Sequence, residues 1–473
     1  MNPKLLRKKW MVMAIAGTVM VIFTLIACKR AQLVLTEENA FDMIVNQMLS
    51  EEKSFEIISA QEGVIKTPKR ADPSDFLIFP FNVMPTEPEN ERWGDFANMD
   101  SLMSDLYKCG FNTAAFIETK NLQYARRNNL MAILYDDKKP LPMHTDKAEA
   151  WIEGIMASIT DTLDLQAIHS IFLCDEPKTP DFPMYKIWTD AIKKKQVMPF
   201  INLFSNQIEK TVIPDYDEYL SKYLEQCDLP YFSYHYYPFK LAKVINGEVA
   251  KVDRVFRSQQ FYSALEKMRD KSLETGIPFW NVILSIAHLN LAETTEETLA
   301  LQVYSALAYG SKGIGYFTFY TSDKGNYRHG AIDRFGYHTP TWDLIRNINL
   351  QVHSLVPIYK NLKSVNVFHA ETISSNGDVS NFTFSIDSAI AYSGILDNSP
   401  LLVGEFENVI DNKPYAIVVN KDIENSVYIK FKFKGYDTKD IVVVNQVNRT
   451  PQPFYKDFGS YLSPGYGVLL TVK

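Results

Sequence analysis

The chain has 473 residues, of which 46% are hydrophobic, 13% aromatic and 22% charged, and its formal net charge is −7. That length accommodates one large domain and a smaller one, and the composition is globular, with no low-complexity tract. An acidic balance with no basic cluster beyond the N-terminus excludes nucleic-acid binding, which needs a cationic surface to displace counterions.

In chain order, the first signal is a secretory one. Lys4, Arg7, Lys8 and Lys9 precede an apolar run from Trp10 to Ala27, and Cys28 and a polar stretch follow. Leu25-Ile26-Ala27-Cys28 resembles the bacterial lipobox, which implies that residues 1–28 form a lipoprotein signal segment, with Cys28 lipidated and becoming the first residue of the mature chain. The alternative is an uncleaved membrane helix, since 18 apolar-rich residues are long enough to span. A lipidated cysteine would anchor a soluble domain to the cell envelope through acyl burial. Residues 29–72 read as a tether. The other cysteines, Cys109, Cys174 and Cys227, are odd in number and match no zinc spacing, so they read as small buried hydrophobes.

From Asp75 the pattern becomes regular. Short apolar runs alternate with helical stretches: Phe76–Phe79, Thr113–Ile117, Met131–Tyr135, Ser170–Cys174, Phe200–Phe204, Tyr231–Tyr234, Phe279–Leu284 and Gly313–Phe317. Continuous apolar runs suit strands buried on both faces of a parallel sheet. Helix signals separate them. Asp100 and Gly110 bracket one helix, Thr294 and Glu297 form a capping box before Leu299, Gly276 and Gly310 end two others, and Thr339-Pro340 opens the last. Eight strand–helix units over residues 73–365 predict an α/β fold, a (β/α)₈ TIM barrel. An open doubly wound sheet is the rival, and the lack of a Gly-rich phosphate loop counts against it and against any nucleotide cofactor. Residues 366–473 read differently. Phe382–Ile386, Tyr415–Val419, Val427–Phe431 and Val468–Val472 alternate as antiparallel strands, predicting a β-sandwich of seven or eight strands.

A barrel's chemistry sits where its strands end. The fourth run ends in Asp175-Glu176-Pro177, and a carboxyl group held in a cleft is what a general acid requires. The same dipeptide also suits a plain turn ahead of Pro177 or a helix cap. Phe172-Leu173-Cys174-Asp175-Glu176-Pro177 resembles the fourth-strand motif of retaining (β/α)₈ glycoside hydrolases, commonly Asn-Glu-Pro, whose Glu is the acid/base. Ala308 to Phe317, and Gly330-Ala331-Ile332-Asp333 leading into the last helix, are similar to barrel glycosidases related to family 42 β-galactosidases. The likeness spans roughly residues 75–365. Carried on a lipoprotein, it looks like the glycan-degrading equipment of Bacteroidetes.

The resemblance implies Glu176 as general acid, with Asp175 where the family has Asn. It also implies a nucleophilic Glu ending the seventh strand, yet residues 280–288 contain no carboxylate. Glu118, Asp136, Asp137, Glu293 and Asp323 are the remaining strand-end or loop carboxylates that could serve an inverting reaction. Sugar rings need aromatic faces and hydrogen-bonding groups. Asn202, Tyr234, His235, Tyr236, Tyr237, Trp280 and Tyr320 supply them, with Asn202, His235, Tyr237, Trp280 and Tyr320 the substrate-binding candidates. His235, flanked by three tyrosines, suits a sugar contact, a base or a structural role equally. His169, His288 and His338 are too scattered for a metal site, so no metal or cofactor is expected. The reading is a glycoside hydrolase on an oligo- or polysaccharide; the alternative is an inactive barrel that binds surface glycans.

Overall fold

The computed structural model describes residues 75–81 and 99–473, apart from 137, 141, 207, 247–248, 324, 371–389, 396–400, 434 and 454–459. The expected signal segment, Cys28, the tether, Asp137 and the strand Phe382–Ile386 lie outside the described residues.

All eight expected barrel strands form: β1 (Leu77–Pro80), β2 (Thr113–Ile117), β3 (Met131–Leu134), β4 (Ile168–Asp175), β5 (Met198–Leu203), β6 (Phe232–His235), then, after an unanticipated antiparallel hairpin of β7 (Phe239–Asn246) and β8 (Val249–Phe256), β9 (Phe279–Leu284) and β10 (Gly313–Phe317). The helices between and after them are α1 (Met99–Lys108), α2 (Leu122–Arg127), α3 (Ala148–Ser158), α4 (Thr162–Ala167), α5 (Phe182–Lys194), α6 (Tyr216–Cys227), α7 (Ser258–Thr275), α8 (Glu296–Ala308) and α9 (Pro340–Tyr359). The strands are parallel, in the order β1-β10-β9-β6-β5-β4-β3-β2. One side chain closes the seam between the two ends. Asn112, just before β2, accepts from the Ile78 N–H through Oδ1 (2.8 Å) and donates through Nδ2 to the Phe76 carbonyl (2.7 Å). Its own N–H reaches the Ile78 carbonyl at 3.2 Å. An amide side chain thus supplies the ladder bonds that the edge strands would otherwise lack.

Large rings fill the barrel interior. Phe79, Phe200, Tyr231 and Trp280 are fully buried and pack face or edge against one another, with Tyr231 and Trp280 stacked at 3.7 Å. β10 makes room by carrying glycine at its inward positions. A Cβ on Gly313 would lie 2.7 Å from Trp280, and one on Gly315 would lie 2.8 Å from Phe79.

Nine strands follow among the described residues, in two antiparallel sheets. The larger has the order β11 (Leu362–Ala370), β13 (Leu401–Asn408), β14 (Pro414–Asn420), β19 (Gly467–Val472), β16 (Ile441–Val444), β17 (Pro451–Pro453). The smaller has β12 (Ile390–Ile395), β15 (Val427–Phe433) and β18 (Ser460–Leu462). Leu401, Val403, Val418 and Leu470 of the first sheet share a core with Ile429, Phe433 and Leu462 of the second, which makes the pair a β-sandwich. The other face of the larger sheet, through Leu402, Phe406, Ile417 and Leu469, belongs to the core that surrounds the barrel.

Helix α8 is the shared element. Every residue from Thr298 to Ala308 is buried, because the barrel covers one side and the sandwich the other. The capping box that opens it is Thr295 with Thr298, not Thr294 with Glu297. Thr295 takes the extended backbone that a cap needs, one residue later than the spacing suggests. Where β13 crosses α8, a Cβ on Gly404 would sit 2.1 Å from the Ala308 carbonyl oxygen, a backbone atom that cannot yield. Gly404→Ala is therefore expected to cost about 1–3 kcal/mol, an overpacking penalty. Denaturant unfolding should show a lower midpoint; an unchanged midpoint would refute the close contact.

Candidate active site at the barrel mouth

The site begins with a register shift in β4. Phe172 pairs with Phe200 and both point into the barrel. An extra residue then intrudes before Cys174 pairs with Ile201, and Asp175 pairs with Asn202. Alternation alone would aim Asp175 outward, since residues two apart share a face. The bulge turns it inward, a known use of bulges beside functional sites. The next residue, Glu176, has φ +55°, in the left-handed region. Holding a non-glycine residue there costs about 1–2 kcal/mol, and it keeps two consecutive carboxylates on one side of the chain. Its N–H is fixed to the Asn202 carbonyl at 2.8 Å.

Register carries the arrangement sideways. Asp175 on β4, Asn202 on β5 and Ser233 on β6 are neighbours in successive ladders, and His235 lies two residues beyond Ser233 on the same face. The Ser233 hydroxyl donates to Asn202 Oδ1 (2.8 Å). Asn202 Nδ2 then faces Asp175 Oδ1 (2.9 Å) and His235 Nδ1 (3.0 Å), and donates to both. With Nδ1 an acceptor, the imidazole proton is on Nε2, which stands 3.1 Å from Glu176 Oε1. Asn202 and Ser233 are fully buried, and each of these polar groups has a partner. The result is one directed chain, Ser233 to Asn202 to His235 to Glu176, with Asp175 as a branch.

Asp175 is exposed to water at the end of β4, yet protein crowds around its carboxyl group. That enclosure raises its carboxyl group above the usual range, against the pull of His235 and the Asn202 amide, with the neighbouring Glu176 charge adding to the rise. Tyr237 packs on His235 (ring centroids 5.1 Å) and on Phe317 (5.3 Å). Burial, then the Asp175 and Glu176 charges, push its phenol well above the ordinary value, so it is a hydrogen-bond donor at neutral pH.

Of the expected binding residues, Asn202, His235 and Tyr237 therefore meet at the acid pair. Trp280 and Tyr320 do not, and both are corrected here. Trp280 is second in β9, at the bottom of the strand and far below its C-terminal end, and is fully buried in the aromatic interior. Tyr320 is folded under the loop that follows β10, buried against Phe319. Tyr234 and Tyr236 are fully buried as well. The residues at the end of β9 are also committed to structure: Ser285 donates its N–H to Phe317 and its hydroxyl to the Thr318 carbonyl. Other carboxylates are engaged elsewhere, Asp136 by the Trp151 indole (2.7 Å) and Glu293 by Arg328 (3.0 Å). Sequence reasoning missed Ser233, although a lone serine inside the sixth apolar run was a visible signal. It also missed the row Phe317, His288 and Tyr327, in which His288 packs tilted on Phe317 at 5.0 Å and stacks on Tyr327 at 4.7 Å.

No protein-family profile and no curated protein matches the chain. Solved structures do. A glycoside hydrolase family 5 protein from Bacteroides vulgatus ATCC 8482 is 10% identical, with a TM-score of 0.48 over 84% of this chain and 88% of that one. The GH51 α-L-arabinofuranosidase from Thermotoga petrophila RKU-1 is 10% identical, with a TM-score of 0.43 over 82% and 92%. The β-galactosidase from the psychrophilic Marinomonas ef1 is also 10% identical, at 0.43, and the match covers 60% of this chain but only 62% of that enzyme.

Proposed function

We propose that this chain is a glycoside hydrolase of the cell envelope, lipid-anchored through Cys28, acting on an oligo- or polysaccharide with Glu176 as general acid. The observation that carries the reading is the bulge and left-handed turn that bring Asp175 and Glu176 together onto the Asn202–His235 relay. Chemically, His235 Nε2–H binds Oε1 and leaves Oε2 to present a proton to a departing glycosidic oxygen. When Glu176 ionises, the same N–H stabilises the carboxylate, so the relay serves both halves of a proton transfer. Asp175, held beside it by Asn202, is the second carboxylate of the site.

A second reading has its own support. A retaining glycosidase needs two carboxyl groups about 5 Å apart across the sugar, and β9 offers none. A barrel without that group would bind glycans at the same mouth and leave them intact.

One experiment separates these readings. The full chain, purified in detergent, is assayed on a panel of aryl glycosides and plant polysaccharides beside Glu176→Gln. Turnover that collapses in the variant supports the hydrolase. Inactivity of both with glycan binding retained supports the binder, and product stereochemistry from an active enzyme distinguishes retention from inversion.

A further inference from the structure

The loop between β10 and α9 is built to display two aromatic rings. The Asp333 carboxylate accepts from the N–H groups of Phe335 (2.8 Å) and Tyr337 (2.9 Å). The Asp333 N–H bonds the Tyr337 carbonyl (2.9 Å), and Gly336 turns the chain at φ +89°. A backbone closed at this many points has little entropy left to lose on binding. The two side chains nevertheless stand in solvent, Phe335 61% and Tyr337 63% exposed.

This loop is part of the catalytic rim. Arg334 Nη2 ties it to the Tyr327 carbonyl at 2.8 Å. From Tyr327 a row of packed rings runs through His288, Phe317 and Tyr237 to His235, in ring-to-ring steps of 4.7, 5.0, 5.3 and 5.1 Å, and His235 holds Glu176. The neighbouring β9 loop is stitched to the same rim by two bonds between Leu289 and Asn326.

Size and charge narrow the choice of occupant. An aromatic side chain buries about 150–250 Å² at most, so two rings supply too little area for a stable protein interface, which needs about 800 Å² per partner. They suffice to stack on the apolar faces of a few sugar rings. Among the described residues beside the rings, Arg328 is paired with Glu293 and Asp333 adds a negative charge, so this part of the rim carries no strong positive excess for an acidic membrane surface.

We propose that Phe335 and Tyr337 form an outer glycan subsite, so that the ligand of this barrel is a polysaccharide chain running from the acid pair to the rim, not a short glycoside. This rests on the carbohydrate reading above, though not on catalysis. The test is affinity electrophoresis of the full chain in detergent through gels containing xylan, galactan, arabinan or mixed-linkage β-glucan. Phe335→Ala/Tyr337→Ala, Tyr337→Phe and Glu176→Gln run alongside, with thermal melts to check folding. At least one polymer should retard the parent, Tyr337→Phe and Glu176→Gln, and the double alanine variant should lose retardation at least tenfold. Its loss of turnover should be confined to polymers and spare aryl glycosides. Equal retardation of the double variant, or no retardation of the parent by any of these polymers, would overturn the subsite. A Glu176→Gln protein that stays active removes the catalytic assignment and leaves this result intact.

Discussion

Replacing Glu176 by Gln should lower kcat/KM on polysaccharide by about 10²- to 10⁴-fold, the usual worth of a positioned general acid. That is about 3–5 kcal/mol of transition-state stabilisation. The substitution is a clean one here. Gln keeps a carbonyl oxygen where Oε1 accepts from His235 Nε2, so the relay and the left-handed turn are retained while the transferable proton is lost. The size of the effect should depend on the leaving group. An aryl glycoside whose phenolate departs unaided needs little protonation and should be slowed least, whereas a sugar leaving group should suffer the whole loss. Activity within a few-fold of the parent on both substrates would remove Glu176 from the mechanism. A uniform loss across leaving groups would point to disrupted geometry instead of a missing acid.

The second large effect concerns stability. Trp280→Ala should destabilise the fold by about 3–5 kcal/mol, the range for removing a fully buried large aromatic side chain. Trp280 has no exposed surface, stacks on Tyr231, and lies within 5.8–6.0 Å of Phe200 and Phe79. Its removal leaves a void opposite Gly313, a residue whose missing side chain exists to admit the indole. Denaturant unfolding measures the loss. Coupling is the sharper readout: Gly313→Ala should be costly in the parent and far less so beside Trp280→Ala, since the clash it creates is with that ring. A cost below about 1 kcal/mol would mean that the interior repacks freely.

These two residues also show what the sequence could and could not convey. The place of Glu176 at a strand end was legible, because a carboxylate after an apolar run marks such an end, and strand ends form a barrel's mouth. Trp280 was misplaced because an aromatic residue in an apolar run gives no sign of its height along the strand or of the face it takes. Tyr320 failed in the same way, since only the packing of its loop decides that it turns under.

The sequence by itself determined the eight strand positions, the order of barrel and sandwich, and the acid dipeptide. Hydrophobic periodicity and helix caps are local signals, written within a few residues of where they act. The tertiary structure alone decided that Asp175 faces inward. That outcome depends on a bulge in β4, visible only from the register with β5, and on a backbone angle at Glu176 that its residue type does not advertise. Asn202, Ser233 and His235 likewise become one relay with Asp175 and Glu176 only when three strands align side by side. Long-range register is set by how whole strands pack, and no single stretch of chain contains that information.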